Sequence, residues 1–124
     1  MANGGRAVVS FDIDVTLEMG DPPGPILADF VRRTQEEGCI IGSCSDRTMR
    51  EQSDVWERAG IVPDFVVAKH RLERIREQFA CERFVHIGDT HVDAHFAELA
   101  GFEFFFADDL AGRLGSPENP PGAA

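Results

Sequence analysis

Two aspartates, Asp12 and Asp14, follow the short apolar run AVVSF and are separated by a single residue in the segment FDIDVTL. Two carboxylates this close repel each other unless a cation lies nearby. A hard cation such as Mg²⁺ prefers carboxylate oxygens, and it usually binds them together with the phosphate of a substrate. The pair therefore indicates a metal site, provided that other parts of the chain supply the remaining groups.

Three further segments carry side chains that suit the same chemistry. Ser45 and Arg47 lie in GSCSDR, Lys69 follows DFVVA, and Asp89 and Asp93 lie in IGDTHVD. A hydroxyl and an ammonium can hold phosphate oxygens, and a carboxylate near a metal can attack phosphorus. A second carboxylate can protonate the leaving oxygen and later activate water. Together, the four segments predict phosphoryl transfer with a divalent metal ion.

Each of these segments follows an apolar run that reads as a β-strand. The alternation of such runs with helical spacing predicts an α/β fold. We expect a Rossmann-like, five-stranded parallel sheet covered by helices on both faces, which is a three-layer α/β/α sandwich. The carboxyl ends of parallel strands meet at one edge, and ligands bind there where the strand order reverses. The predicted strands are RAVVSF (6–11), CIIGSC (39–44), DFVVA (64–68), RFVHI (83–87) and FEFFF (102–106).

Apolar residues at helical spacing predict four helices between the strands. We expect the first to run from Pro25 to Glu37, with Pro25 in its first turn and Gly38 as its stop. Met49 and Trp56 belong to the apolar face of the second, and Leu72 begins that of the third. For the fourth helix, the predicted apolar face is formed by Val92, Phe96, Leu99 and Ala100.

Each polar segment has a simpler interpretation when it is taken alone. Asp89 or Thr90 could cap the helix that follows, and Ser45 could cap the helix after the second strand. Lys69 could be an ordinary solvated side chain. Arg47 could reach phosphate with its guanidinium, or it could pair with a neighbouring acid, Asp46 or Glu51. The order of the segments, each at a strand end, favours the functional interpretation.

The set of segments resembles the motifs of the haloacid dehalogenase superfamily of phosphohydrolases. FDIDVTL resembles the DxDxT signature, and CSDR resembles the second motif, in which Ser or Thr closes the second strand. Lys69 resembles the lysine before the third helix, and IGDTHVD is similar to the acidic GDxxxD motif. The resemblance spans residues 6 to about 106 and implies a Mg²⁺-dependent phosphomonoesterase.

The resemblance implies a role for each site residue. Asp12 would be the nucleophile that forms an aspartyl-phosphate and also a Mg²⁺ ligand. Asp14 would be the general acid/base and would offer its backbone carbonyl to the metal. Ser45 and Lys69 would bind the phosphoryl group, and Thr16 would help to fix the loop that follows.

The last motif would complete the metal site, with Asp89 binding Mg²⁺ directly and Asp93 directly or through water. The chain departs from the family pattern at two positions. Val15 stands where the family often has Gly, and His70 stands where it commonly has Pro. Neither position supplies a catalytic group. For the second motif, Ser43 is the alternative to Ser45. We prefer Ser45 because Ser43 lies within the apolar run, whereas Ser45 begins an SxR pattern with Arg47.

Enzymes of the family that the chain resembles usually insert a cap domain after the first motif or between the second and third, and the spacing here implies a phosphatase without one. Only a loop and one helix separate Asp14 from Ser45, and only one helix and one strand separate Ser45 from Lys69. We therefore expect a catalytic core over residues 1–112 and a disordered tail over 113–124. Without a lid, a second subunit or a large substrate must cover the site, so a homo-oligomer or a macromolecular phosphate is expected.

The composition narrows the choice of partner and compartment. The net charge of −10 and the pI of about 4.7 disfavour nucleic acid. Polynucleotide 3′-phosphatase domains of this superfamily nevertheless share a similar SxR motif, so that alternative stays open beside a phosphoprotein or a phosphorylated small molecule. Three cysteines without CxxC spacing are expected to be reduced and mostly buried. No run is long enough to cross a bilayer, and no signal-peptide core is present, so we expect a cytoplasmic protein.

Two other interpretations of the polar residues are weaker. A phospho-acceptor receiver domain has a similar length, but it carries its acceptor Asp after the third strand and its Lys after the fifth. In this chain the acids follow the first and fourth predicted strands, and no Asp follows the third. His91 and His95 have the i,i+4 spacing of a zinc site. No third nitrogen or sulfur ligand is identifiable, and His95 adjoins Phe96, so a rim or core role is favoured.

Overall fold

The computed structural model describes residues 6–114, and within them five strands form a single sheet. All neighbouring strands are parallel, and their spatial order is β3-β2-β1-β4-β5. The predicted α/β class, with a five-stranded parallel sheet, is therefore confirmed. The strands are β1 (Ala7–Phe11), β2 (Ile40–Ser45), β3 (Phe65–Ala68), β4 (Arg83–Gly88) and β5 (Glu103–Phe106).

Helices cover both faces of the sheet and complete the three layers. Val31, Trp56 and Ala107 belong to the apolar cluster on one face, so α1, α2 and the start of α5 lie there. Ile75 and Ala97 belong to the cluster on the other face, which is covered by α3 and α4. The helices are α1 (Ala28–Glu36), α2 (Met49–Ala59), α3 (Glu73–Gln78), α4 (His91–Ala100) and α5 (Ala107–Leu114), with a 3₁₀ turn over Lys69–Arg71.

The strand order reverses between β1 and β4. The chain passes from β1 outward through β2 to β3, and then crosses to the other face and returns to β4 on the opposite side of β1. This point is where α/β proteins of this kind bind ligands, because the flanking connections leave in opposite directions and open a crevice. Asp12 directly follows β1, and Asp89 directly follows β4.

The first helix begins later than the sequence predicts. Pro25 and Ile26 are not helical, because the Ile26 N–H donates to the carbonyl of Thr16 and Ile26 forms a bridge with Leu17. The α1 helix starts at Ala28, whose N–H donates to Glu18 Oε1 at 2.6 Å. A tertiary contact with the loop thus sets the start of the helix.

The predicted apolar face of the fourth helix is also wrong in part. Val92 and Leu99 are 54% and 67% exposed, whereas α4 turns Asp93, Ala97 and Ala100 toward the sheet. The capping box at its N-terminus explains this rotation, because Thr90 and Asp93 bind each other's backbone N–H there and bring Asp93 inward. Met49, expected on the buried face of α2, is likewise exposed.

No cap domain lies between the motif segments of the described chain. A loop and α1 connect β1 to β2, and α2 alone lies between β2 and β3. The last helix ends at Leu114, two residues beyond the predicted end of the core, and the rest of the predicted tail lies outside the described residues.

Across residues 6–114, none of the helices has the length and apolar character needed to cross a membrane.

Candidate functional site

An acidic cluster lies at the carboxyl edge of the sheet, where the strand order reverses. Asp12, Asp89 and Asp93 each bring a carboxylate oxygen within 4.8 Å of the other two. The ammonium of Lys69 lies beside them, 3.1 Å from Asp93 Oδ1 and 4.0 Å from Asp12 Oδ2. It also lies 3.4 Å from Asp46 Oδ2. Residues from four separate sequence segments therefore meet at one point.

Asp12 is a buried acid at the centre of this cluster. Its backbone N–H donates to the carbonyl of Ile87 at 2.9 Å, which continues the pairing of β1 with β4 by one residue. Burial and the negative charge of Asp93 raise the pKa of Asp12 to about 8, against the lowering effect of Lys69. The single ammonium does not balance the carboxylates, so the donor set suits an added cation with a preference for oxygen.

Lys69 is not the solvated side chain that its simplest interpretation suggests. It is 8% exposed, and it is the only lysine in a chain that otherwise uses arginine for its strong cations. Burial would lower its pKa, but the charges of Asp12 and Asp93 outweigh burial and raise it. The ammonium therefore stays charged beside Asp12.

Asp93 is fully buried, and both of its oxygens accept hydrogen bonds. Oδ2 accepts from the hydroxyl of Thr90 at 3.0 Å and from the N–H groups of Thr90 and Asp89 at 3.3 Å. Oδ1 accepts from Lys69 and lies 3.4 Å from His86 Nε2. Burial would raise its pKa, but the hydrogen bond with His86 and the charge of Lys69 hold the pKa well below its usual range.

Gly88 makes this close packing of Asp93 possible. A Cβ atom at position 88 would lie 2.6 Å from Asp93 Cβ and Cγ, so any side chain there would displace the carboxylate.

The prediction that Thr90 caps the fourth helix is confirmed, since Thr90 is the N-cap of α4. Capping and the acidic cluster are not alternatives here, because the same Asp93 serves both.

Two polar residues that no motif predicts lie behind the cluster. Ser10 and His86 are neighbours across β1 and β4, both are buried, and Ser10 Oγ lies 2.9 Å from His86 Nδ1. The available signal was a polar residue inside each of two apolar strands, AVVSF and RFVHI. A polar group at such a position requires a partner, and here the two residues are partners.

Asp14 lies two residues beyond Asp12 and is bound by Arg47. The Nε atom of Arg47 is 2.9 Å from Asp14 Oδ2 and 3.1 Å from Oδ1, and the N–H of Asp21 donates to Oδ1 at 2.9 Å. Arg47 therefore pairs with neither Asp46 nor Glu51, its expected partners if it did not bind phosphate. Burial would raise the pKa of Asp14, but the hydrogen bonds from Arg47 and from the Asp21 N–H, together with the charge of Arg47, outweigh burial and lower the pKa.

The two serines of the second strand have different surroundings. The Ser43 hydroxyl donates to Gln52 Oε1 at 2.6 Å and accepts from Trp56 Nε1 at 2.9 Å, so it belongs to the core beneath α2. Ser45 Oγ lies at the end of β2 and accepts from the N–H of Arg47 at 3.1 Å. Thr48, and not Ser45, caps α2, so the capping interpretation of Ser45 is wrong.

The loop after the first aspartates is tightly folded. Val15 has a φ of 63°, in the left-handed region, and its side chain is 43% exposed. A Cβ atom at Gly24 would collide with the carbonyl of Val15, so the loop backbone packs directly against this segment. The buried hydroxyl of Thr16 has no hydrogen-bond partner among the residues described.

The remaining polar candidates do not join the cluster. His91 and His95 are exposed, and His91 packs edge-on against the ring of Phe106. Within residues 6–114, the acidic cluster contains carboxylates only.

All three cysteines are free, but only Cys44 is fully buried. Burial strongly raises the pKa of the Cys44 thiol, so it is not a reactive nucleophile.

Comparison with known proteins gives no match. No protein-family model matches the chain, and no curated protein or solved structure is significantly similar to it. The chemistry of this site must therefore be inferred from its own geometry.

Proposed function

We propose that this chain is a Mg²⁺-dependent phosphomonoesterase with Asp12 as its nucleophile. The observation that carries the proposal is the position of the Lys69 ammonium between Asp12 and Asp93, within the acidic cluster at the point of strand reversal. A phosphoryl group that reached Asp12 would meet the Lys69 ammonium together with carboxylates able to hold a metal. Such a combination suits phosphoryl transfer better than simple anion binding.

The donor set of the cluster fits Mg²⁺, since every available side-chain ligand is a carboxylate. Asp12 and Asp89 would hold the ion, together with the backbone carbonyl of Asp14 that the family resemblance implies. Asp93 would support the site without binding the ion directly, because both of its oxygens already accept hydrogen bonds. When bound, the ion would offset the clustered negative charge and polarise the phosphoryl oxygens.

Each of the protein's own side chains would then perform a different step of the reaction. The Asp12 carboxylate attacks phosphorus and the bond to the leaving oxygen breaks, while Lys69 and Ser45 bind the transferring oxygens. Asp14 donates a proton to the leaving oxygen. In the second half, Asp14 removes a proton from water, the water attacks phosphorus, and the bond to Asp12 breaks to release inorganic phosphate.

The open site restricts the kind of substrate. In the described residues, no lid covers the carboxyl edge of the sheet, so the substrate or a second copy of the chain must exclude water from the site. The net charge of −10 disfavours a polynucleotide and leaves a phosphoprotein or a phosphorylated small molecule as the better candidates. The three free thiols support a cytoplasmic location.

Strand topology weighs against the phospho-acceptor receiver as an alternative. Receivers share the flavodoxin-like order β2-β1-β3-β4-β5, in which β1 and β3 are neighbours. Here β1 lies between β2 and β4, and the acids follow β1 and β4. A transient acyl phosphate on Asp12 is therefore proposed as a catalytic intermediate and not as a signalling state.

The test is phosphate release from an aryl phosphate, with and without Mg²⁺, by the wild-type chain and by Asp12→Asn. We expect turnover that requires Mg²⁺ and that Asp12→Asn abolishes. Asp54→Asn is the matched control, because it makes the same change at an exposed position on α2. Equal turnover by the wild type and Asp12→Asn would refute the proposal. Sugar phosphates, phosphopeptides and 3′-phosphorylated oligonucleotides then separate the substrate classes.

A further inference from the structure

Behind the acidic cluster, a line of buried polar groups runs along one face of the sheet. Ser10 Oγ lies 2.9 Å from His86 Nδ1, and His86 Nε2 lies 3.4 Å from Asp93 Oδ1. Asp93 Oδ1 in turn binds the ammonium of Lys69 at 3.1 Å, and Lys69 lies beside Asp12. We infer that Ser10 and His86 are positioning residues, which fix Asp93 and through it hold Lys69 against the nucleophile.

The surroundings of this pair argue against an accidental contact. His86 is 1% exposed and Ser10 is fully buried, on the face of the sheet whose other residues include Val8 and Phe84. Polar groups in such a place cost free energy unless each of them is hydrogen-bonded. An apolar pair would fill the same space without that requirement, so the polar pair is best explained by what it contacts.

The hydrogen-bond partners of His86 suit one tautomer of its ring. A carboxylate can only accept, so the contact with Asp93 is a hydrogen bond when His86 Nε2 carries the hydrogen. In that tautomer, Nδ1 accepts from the hydroxyl of Ser10. A hydrogen bond donated by Ser10 therefore favours the ring form that donates to Asp93. The ring also packs against Phe104, with a centroid separation of 6.1 Å, which limits its rotation.

Oδ1 of Asp93 needs such a support because its other donor, Lys69, is also attracted by two further carboxylates. Lys69 has a flexible four-carbon side chain, and its ammonium is attracted by Asp12, Asp46 and Asp93 at similar distances. Without His86, Oδ1 of Asp93 would keep only Lys69 as a donor, and Oδ2 alone would stay fixed by its bonds from Thr90 and Asp89. Outer residues of this kind typically change metal affinity or activity by about 10- to 100-fold.

This inference rests on the proposed function only for its catalytic consequence, so the test begins with a measurement independent of turnover. Lys69 is the only lysine, and its ¹⁵N-labelled ammonium therefore gives a single resonance in a lysine-selective NMR spectrum. In the metal-free wild type, the buried and ion-paired ammonium should exchange slowly enough to be seen. His86→Leu should shift the signal or lose it, and His86→Gln, which can still donate toward Asp93, should restore it.

Phe84→Leu is the matched control, since Phe84 lies two residues away on the same strand and the same face. It should cost stability while leaving the ammonium signal in place. Ser10→Ala is the milder variant if His86→Leu fails to fold, and it should shift the same signal. We also expect Mg²⁺ affinity, measured by calorimetry, to fall about 10- to 100-fold in His86→Leu but not in Phe84→Leu.

The outcomes separate the two proposals. An ammonium signal that is absent in the wild type, or unchanged in both His86→Leu and Ser10→Ala, would overturn the positioning role. If the wild type shows the expected ammonium signal and its loss in His86→Leu, but no phosphate release, the phosphatase proposal fails and the positioning role stands. A kcat that falls in His86→Leu with little change in KM would extend the role to catalysis.

Discussion

Arg47 holds the carboxylate of Asp14 through Nε, which lies 2.9 Å from Oδ2 and 3.1 Å from Oδ1. This ion pair joins the loop after β2 to the loop after β1, across 33 residues of sequence. It keeps Asp14 ionised, as a general base requires, whereas a general acid must first be protonated. The pair therefore predicts how the leaving group of the substrate affects the rate.

Replacing Arg47 by Gln should favour substrates with poor leaving groups. Arg47 lowers the pKa of Asp14, so its loss raises that pKa and increases the fraction of protonated Asp14 at neutral pH. We expect the ratio of kcat/KM for an alkyl phosphate to that for an aryl phosphate to rise several-fold. Arg50→Gln, at an exposed position on α2, is the control. An unchanged ratio would mean that Arg47 does not control the protonation of Asp14.

Replacing Asp12 by Asn should stabilise the metal-free protein while it abolishes turnover. The pKa of Asp12 rises from 3.8 to about 8 on folding, so the folded state binds the Asp12 proton more tightly than the unfolded state does. The stability that this proton provides is complete below the lower pKa, and it is lost as the pH rises through the higher one. The melting temperature of Asp12→Asn should therefore exceed that of the wild type increasingly between these limits. Each kcal/mol corresponds to roughly 4 °C for a domain of this size.

Thermal melts in a chelating buffer test this, with Asp54→Asn as the control for the change in charge. Added Mg²⁺ should reduce the difference, because the ion stabilises the folded wild type in proportion to its occupancy. A wild type that melts above Asp12→Asn at pH 8 without metal would contradict the expected cost of an ionised, buried Asp12 beside Asp93.

Replacing Lys69 by Met should destabilise the metal-free protein as well as weaken phosphate binding. The substitution leaves Asp12 and Asp93 buried without their cation, and breaking a buried ion pair in this way typically costs about 3 kcal/mol. Urea unfolding measures the loss. The double variant Lys69→Met, Asp93→Asn should recover part of it, and a strictly additive result would show that the two side chains do not interact.

Replacing Val15 by Gly should stabilise the loop of the first motif. A β-branched residue with a φ of 63° is strained by about 1–3 kcal/mol, whereas Gly adopts this region freely. Because Val15 is 43% exposed, little apolar burial is lost. We expect a net gain of about 1 kcal/mol in urea unfolding. Val15→Ala, which keeps a Cβ atom, should gain less, and equal gains would point to a cause other than backbone strain.

Replacing Ser43 and Ser45 separately should distinguish the core from the site. Ser43→Ala removes buried hydrogen bonds with Gln52 and Trp56, so it should cost about 1–3 kcal/mol of stability and leave kcat/KM unchanged. Ser45→Ala should lower kcat/KM with a smaller effect on stability. Trp56 is the only tryptophan, so its fluorescence reports unfolding in both variants. The reverse pattern would assign the phosphate contact to Ser43.

Much of the fold could be predicted because its signals are local. The apolar runs place the strands within a few residues of their observed bounds, and alternation with helices specifies parallel pairing. The start of α1 could not be predicted in this way. It depends on a hydrogen bond from Ala28 to Glu18 across a folded loop, whereas Pro25 and the apolar spacing alone favour an earlier start. Similarly, the inward rotation of Asp93 set which face of α4 is buried.

The acids at the strand ends follow directly from the order of residues along the chain. Asp12 and Asp89 follow β1 and β4 directly, and parallel strands bring such positions to one edge in any arrangement of this type. The partners of the polar groups arise from the packing of the folded chain: Arg47 with Asp14, Ser43 with the core, and Ser10 with His86. These pairings depend on strand register and helix rotation, which relate residues far apart in the chain and leave no local pattern.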